Sequence, residues 1–399
     1  MMTFHWRRAA SFICAFSLLL SAGALAADTK KPETVEVGYE ELQTYVEEAN
    51  YTYQLTLHQL ETSKAGYNEI KSNIDSLTDS YWMVHATAST GSGALSQLTS
   101  SMHELRKQAK AWEEDEATRE LGRKLTLESQ LMATRLVYTS LLSLEIQVTL
   151  NENALTDLQS RAGAYAKKLS AGLISRETYD DYMQKIDDQA VALEKATTSY
   201  RQTLDDFKVQ LGLTAEDTLL LSDPAAEFDF SVIDAIDAEA DKAAYLASNL
   251  SIEDARLAIK KAEKTYRDNN SKVNKFGIEQ AKMAYNQTVI DEGASYDKEL
   301  QSLKDKLRDL RVAEKELARQ EKTLASMQTK LKAGLVAPVQ VQTLEQAVTA
   351  LRLQLDLQQI QLYNSYQCYM SALEGGLFAV SASSGGTSGS AGNAGGAAA

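Results

Sequence analysis

Lys168-Leu169-Ser170-Ala171-Gly172-Leu173-Ile174 and Lys330-Leu331-Lys332-Ala333-Gly334-Leu335-Val336 repeat one phrase at an offset of 162. The offset holds downstream, where Phe207 meets Tyr369 and Leu211 meets Leu373, so the phrase marks the same point in two related halves. Its surroundings carry a helical period. Before the second copy, Leu303, Leu310, Leu317, Leu324 and Leu331 recur every seventh residue, with Leu300 and Leu307 on the neighbouring core position. After the first, Ile186, Ala190, Leu193, Thr197, Tyr200, Leu204, Phe207 and Leu211 alternate steps of four and three. Each phrase therefore joins the two arms of a helical hairpin.

The turn chemistry agrees. Gly172 and Gly334 stand where a helix C-cap needs positive φ. Ser175 can cap the next helix with Glu177 in its first turn, and Pro338 suits a first helical position, where a missing N–H costs nothing. Glu299 to Leu331 and Pro338 to Leu373 then make arms of about 50 Å at ~1.5 Å per residue. The returning arm has two apolar sides, Leu351, Leu355 and Leu362 on one and Leu353, Leu357 and Ile360 on the other. Such a helix packs both ways, within one chain or between subunits.

Outside the hairpins the chain changes character. Thr214 to Asp241 holds nine acidic residues, no Lys or Arg, and the turn Asp223-Pro224, which reads as an acidic connection. Its carboxylates follow no cation-loop spacing. The C-terminal end is Gly, Ser and Ala, too poor in apolar surface to order itself. At the N-terminus Arg7-Arg8, the apolar run Ala9 to Leu20 and Ala24-Leu25-Ala26 have the parts of a cleaved secretory signal. Cleavage removes Cys14 and leaves Cys368 as the one thiol, so no disulfide forms within a chain. The expected organisation is a signal peptide at 1–26, an N-terminal extension at 27–36, a first hairpin repeat at 37–213, an acidic linker at 214–243, a second repeat at 244–377 and a disordered tail at 378–399.

A signal peptide, two homologous halves and a K-L-x-A-G-L-[IV] turn between heptad helices resemble the TolC-like outer membrane efflux proteins. Similar too are Leu211-Gly212-Leu213 before the connection, Tyr245-Leu246-Ala247-Ser248-Asn249-Leu250 opening the second half, and Tyr39-Glu40-Glu41-Leu42 with Val46-Glu47-Glu48-Ala49-Asn50 opening the first. The resemblance covers roughly Val37 to Gly375. It implies an all-α fold of two tandem coiled-coil hairpin repeats with little or no β-structure, three subunits forming a twelve-helix hollow cylinder, and an extracytoplasmic place in the cell envelope. It also implies that Gly172, Leu173, Ile174, Ser175, Gly334, Leu335, Val336 and Pro338 form tips docking a periplasmic membrane-fusion adaptor, which works with an inner-membrane pump.

One departure bears on this. Members of that family that span an outer membrane give each repeat two strands of a barrel, and a spanning strand needs about 9 to 11 alternating residues. The second half offers Asp268-Asn269-Asn270-Ser271 and a helix-like Gly277 to Ile290 instead. In the first half, Tyr81 to Thr87, the turn Gly91-Ser92-Gly93 and Ala94 to Thr99 could form one short, polar β-hairpin. Open strand edges do not persist in lipid, so no complete membrane barrel is expected.

Signs of chemistry are few. Three histidines, His58, His85 and His103, follow the signal; His85 and His103 flank the one glycine-rich loop without a cysteine or evident carboxylate partner for a metal site, Asp268-x-Asn270 begins like a calcium loop but has Val273 where glycine is required, and no nucleophile or phosphate-loop pattern occurs. With Lys+Arg 41 against Asp+Glu 55, a basic nucleic-acid face is missing too. The expectation is a non-enzymatic export or efflux component without cofactor. The alternative is a non-transporting coiled-coil spacer of the envelope.

Overall fold

The computed structural model describes residues 34–87, 92–376 and 378. The signal peptide, most of the extension at 27–36, Gly91 of the glycine-rich turn and all but Phe378 of the expected tail lie outside the described residues. Within them the first half runs β1 (Thr34–Val37), α1 (Leu42–Ala49), α2 (Tyr51–Thr87), α3 (Ser92–Glu114), α4 (Glu116–Ser170) and α5 (Arg176–Gln210). β2 (Thr218–Leu221) follows, and the second half is α6 (Ala238–Ser248), α7 (Leu250–Asp268), α8 (Lys272–Lys332) and α9 (Pro338–Leu373). α9 has the bounds its caps and period predict. α8 starts earlier than Glu299, because Gly277 to Ile290 continues the helix, and it is about 90 Å long at ~1.5 Å per residue.

The four long arms pack α5 on α4, α4 on α9 and α9 on α8, a layer with α5 and α8 at its edges. Two cores hold it together. One gathers Val37, Tyr39, Leu42, Tyr138, Leu141, Phe207 and Leu211 with Ile360 and Tyr363. The other gathers Ile233, Tyr245, Tyr296, Leu300, Leu303, Leu307 and Leu310 with Leu362, Tyr369 and Ala372. α9 feeds both, so its widened apolar face is used inside one chain, against α4 and α8. Towards the glycine turns burial thins, and Leu317, Leu324 and Leu331 are only half-buried.

The acidic connection is built into the first core. β2 lies parallel to β1, pairing Thr34 with Thr218 and Val37 with Leu221, and Leu219 and Ala225 are buried. Several of its carboxylates close its own turns. Asp217 accepts from Thr214 N at 2.8 Å, Asp223 from Ala225 N at 2.9 Å, and Asp229 from Ser231 N at 2.9 Å. Asp237 accepts from Glu239 N and Ala240 N, capping α6. Asp223 and Asp229 make Asx turns, Asp237 an N-cap and Asp217 a bond back to the amide three residues before it, local roles that explain the run of Asp.

The short β-hairpin expected around residues 81–99 is overturned: Tyr81 to Thr87 belong to α2, and Ser92 to Thr99 belong to α3. Tyr81 to Val84 has local strand character, but the half-buried positions Ile74, Leu77, Tyr81 and Val84 on α2, and Leu95, Leu98 and Leu105 with buried Met102 on α3, step by three and four. A period-2 ladder would bury the wrong residues, so pairing of the two helix seams overrides local propensity.

Four glycine turns recur. Gly172, Gly212, Gly334 and Gly375 have φ of +67°, +72°, +73° and +102° and follow α4, α5, α8 and α9. An added Cβ at Gly334 meets nothing within 4 Å, whereas at Gly212 it comes 2.9 Å from Ala49 Cβ. Gly334→Ala should cost about 1 kcal/mol of unfolding free energy, from backbone strain alone. Gly212→Ala should cost about 2 kcal/mol because overpacking against α1 adds to the strain. Urea denaturation of the two variants side by side measures the difference.

Candidate functional site

The two glycine-leucine turns are built alike from the helix ends upward. After α4, Gly172 N donates to Leu169 O at 2.9 Å and Leu173 N to Lys168 O at 2.8 Å. After α8, Gly334 N donates to Leu331 O at 2.9 Å and Leu335 N to Lys330 O at 2.9 Å. This paired pattern is the Schellman motif, which satisfies the last carbonyls of a helix only if the residue between is left-handed. The following helices start as their caps predict. Ser175 Oγ accepts from Thr178 N at 3.1 Å, and Pro338 opens α9 while Gln340 Oε1 accepts from Ala337 N at 3.2 Å.

A Schellman turn often tucks its next apolar residue back onto the helix, so Leu173 and Leu335 had two readings: covers for their own hairpin ends, or exposed contacts. Their exposure decides it. Leu173 is 73% and Leu335 75% exposed, while the next residues, Ile174 and Val336, are the half-buried ones. Ile174 and Val336 cover the hairpin ends; the leucines point away. Lys167 and Lys168 end α4 and Lys330 and Lys332 end α8, where cations complement the helix dipole. Arg176 pairs with Asp180 at 3.0 Å behind the first turn.

Both turns lie at one end of the layer. Arg161 on α4, ion-paired with Asp157 at 2.8 Å, donates to Thr343 Oγ1 at 3.1 Å and Gln346 Oε1 at 2.8 Å on α9. The first turns of α9 are thereby fixed beside the last turns of α4. All eight residues singled out from the sequence, Gly172 to Ser175, Gly334 to Val336 and Pro338, fall on these two turns.

A second feature was missed. The edges of the layer carry exposed apolar residues: Val273, Phe276, Met283, Ile290 and Val312 on α8, Val191 and Val209 on α5. Phe276, Met283 and Ile290 are seven apart, a signal present in the sequence, but the eye follows the denser leucine ladder that starts at Leu300.

Among the described residues no group of three or more His, Cys, Asp or Glu could hold a metal ion. A hollow between α4 and α9, lined by Glu128, Met132, Arg135, Cys368 and Ser371, measures about 10 Å³, the room of one water. Burial pushes the Cys368 thiol above its ordinary value and the Glu128 carboxyl above its own, which keeps the thiol in its unreactive form. No helix among the described residues is long and apolar enough to cross a membrane.

No protein-family model matches the sequence, and no curated protein matches it. Solved structures do match the fold. The CmeC outer membrane channel of Campylobacter jejuni aligns with a TM-score of 0.56 at 10% identity, over 88% of this chain and 91% of that one. CusC, studied for its folding and transmembrane channel formation, aligns at 0.50 and 14% identity over 90% and 96%, and the outer-membrane channel OprN at 0.50 and 10% over 85% and 90%. The helical hairpin architecture of these outer-membrane channels is therefore the fold of this chain, as the tip phrase and heptads imply.

Proposed function

We propose that the protein is an oligomeric conduit of an export or efflux system, placed outside the cytoplasmic membrane and docked through its two glycine-leucine turns to a membrane-fusion adaptor that serves an inner-membrane pump. The observation that carries this reading is the layer with two apolar edges. A single chain leaves α8 exposing Phe276, Met283 and Ile290 and α5 exposing Val191 and Val209, more than scattered surface residues explain. An edge of one kind meeting an edge of the other kind in the next copy is a head-to-tail contact, which closes into a ring if the rotation allows. Three copies of four arms give the twelve-helix cylinder implied by the resemblance. The channel descriptions of CmeC and OprN support transport over catalysis, and no cofactor or nucleic acid enters this reading.

The molar mass of the chain by light scattering, without detergent at micromolar concentration, tests assembly. A stable trimer is expected, and Phe276→Glu with Ile290→Glu should reduce it to monomer while leaving helix content unchanged. A wild-type monomer that an adaptor does not assemble sinks the conduit. It would favour the second reading, a non-transporting spacer of the envelope, to which the helices α2 and α3 in place of strands already lend weight.

Docking has its own test. Leu173→Glu with Leu335→Glu should weaken binding of a hairpin adaptor at least tenfold at unchanged circular dichroism, since both leucines are exposed and neither holds its turn together. Equal binding by the variant would remove the turns from the interface.

A further inference from the structure

The two glycine turns reverse the charge of the rest of the molecule. Asp and Glu number 55 against 41 Lys and Arg over the chain, yet Leu158 to Arg176 and Lys322 to Leu344, stretches of 19 and 23 residues that span the turns, hold no Asp or Glu. At the frequency of the whole chain the two together would carry about six. Their cations remain: Arg161, Lys167, Lys168 and Arg176 at the first turn, Lys322, Lys330 and Lys332 at the second. Two other long stretches without acid, 80–103 and 357–373, have no Lys or Arg either.

The arginines are already paired, Arg161 with Asp157 and Arg176 with Asp180, carboxylates that lie outside the acid-free stretches. Lys167, Lys330 and Lys332 are exposed and have no ion pair among the described residues, and Lys168 Nζ lies 5.3 Å from the centre of the Tyr165 ring. One account needs no partner, since cations at a helix C-terminus complement its dipole. Yet α1, α3, α6 and α9 end without a basic residue in the last turn, and the turns' own amides already bond the last carbonyls of α4 and α8. The dipole asks for neither the doubled lysines nor the missing acids.

We propose, resting on the docking reading above, that the partner of the turns is acidic: a protein surface that sets carboxylates around an apolar notch. Leu173 and Leu335 stand out among these ammonium groups, and Val339, 51% exposed, adds apolar surface to the second turn. A free polyanion would use the lysines and leave the leucines in water. A notch rimmed with Asp or Glu uses both, with apolar burial at the centre and ion pairs at the rim, where charge steers encounter more than it adds affinity. The surplus of acid elsewhere on the chain makes the contact selective, because an acidic partner is repelled by most of the surface and attracted at the two turns.

The affinity of the full chain for the purified hairpin adaptor, with poly-L-glutamate as a second probe, tests this. Lys167→Gln, Lys168→Gln, Lys330→Gln and Lys332→Gln together should weaken adaptor binding about tenfold at ~50 mM salt and less than about twofold at ~500 mM, where charge is screened, with circular dichroism unchanged. Lys→Arg at the same four positions should bind as the wild type does. A glutamine variant that binds as well as the wild type at low salt, or better, overturns the acidic partner; if Leu173→Glu with Leu335→Glu still loses binding, docking at the turns stands without it. If neither variant loses binding, docking and the acidic partner fall together. Poly-L-glutamate that binds as tightly as the adaptor also overturns the proposal, because the turns would then accept any polyanion. So does an arginine variant as weak as the glutamine one, because charge would then not be what the partner recognises.

Discussion

Tyr138→Ala should lower the unfolding free energy by about 4 kcal/mol, while Tyr138→Phe should lower it by about 1 kcal/mol. The ring is fully buried on α4 and meets Tyr39 and Phe207 edge-on at 5.7 and 6.3 Å. Its hydroxyl lies 2.6 Å from Ser222 O and 3.1 Å from Val37 O, so one side chain ties the end of β1 and the residue after β2 to the longest helix of the first half. Removal of the ring opens a cavity where three segments meet, and the transfer and cavity terms add. Removal of the hydroxyl alone takes away one O–H donor, whose shorter bond goes to Ser222 O. Guanidinium denaturation measures both variants. Equal losses would mean that the hydroxyl, not the packing, fixes the connection to the first core.

The reach of the sequence can be judged at particular residues. Gly172 and Gly334 were legible because a Schellman turn needs a left-handed residue and glycine supplies it most easily, and the duplication wrote the need twice. The arms were legible because Leu303 and Leu310 repeat at seven and are buried as that spacing demands. What failed was the segment at Tyr81. Aromatic and β-branched residues there have strand propensity, and the glycines suggest a hairpin turn, but the choice between strand and helix is made by the packing of α2 along α3, which no local window contains.

The site was legible in part. Position along the chain identified the turns, whereas the outward aim of Leu173 and Leu335, with Ile174 and Val336 taking the inner place, depends on how each hairpin end closes and could not be read from the phrase. The exposed ladder of Phe276, Met283 and Ile290 has the same period as a buried one. Period tells that a helix has an apolar face, and only the neighbours tell whether the chain itself covers it.

Asn249→Ala should cost about 3 kcal/mol and Asn50→Ala about 2 kcal/mol, the larger loss falling in the second half. The two residues occupy the same place, between α1 and α2 and between α6 and α7, and both are buried. Each side-chain oxygen caps the next helix: Asn50 Oδ1 accepts from Tyr53 N at 3.1 Å and Asn249 Oδ1 from Ile252 N at 3.0 Å. Alanine leaves those amides without their acceptor, Ile252 and Tyr53 being buried themselves. Asn249 does more, because its Nδ2 donates to Glu292 Oε2 at 3.1 Å, beside the hydroxyl of Tyr245 that donates to the same oxygen. Its loss deprives a carboxylate on α8 of one of two donors, and hydrogen bonds to a charged acceptor contribute more than neutral ones. Asn249→Asp separates the two roles: the cap survives, the donor to Glu292 is replaced by a second carboxylate facing the first, and stability should fall below that of the wild type. Urea unfolding of the two variants beside the wild type reads the difference. An Asn249→Asp variant as stable as the wild type would show that Asn249 acts as a cap alone, and the two halves would then share this bend without the second having elaborated it.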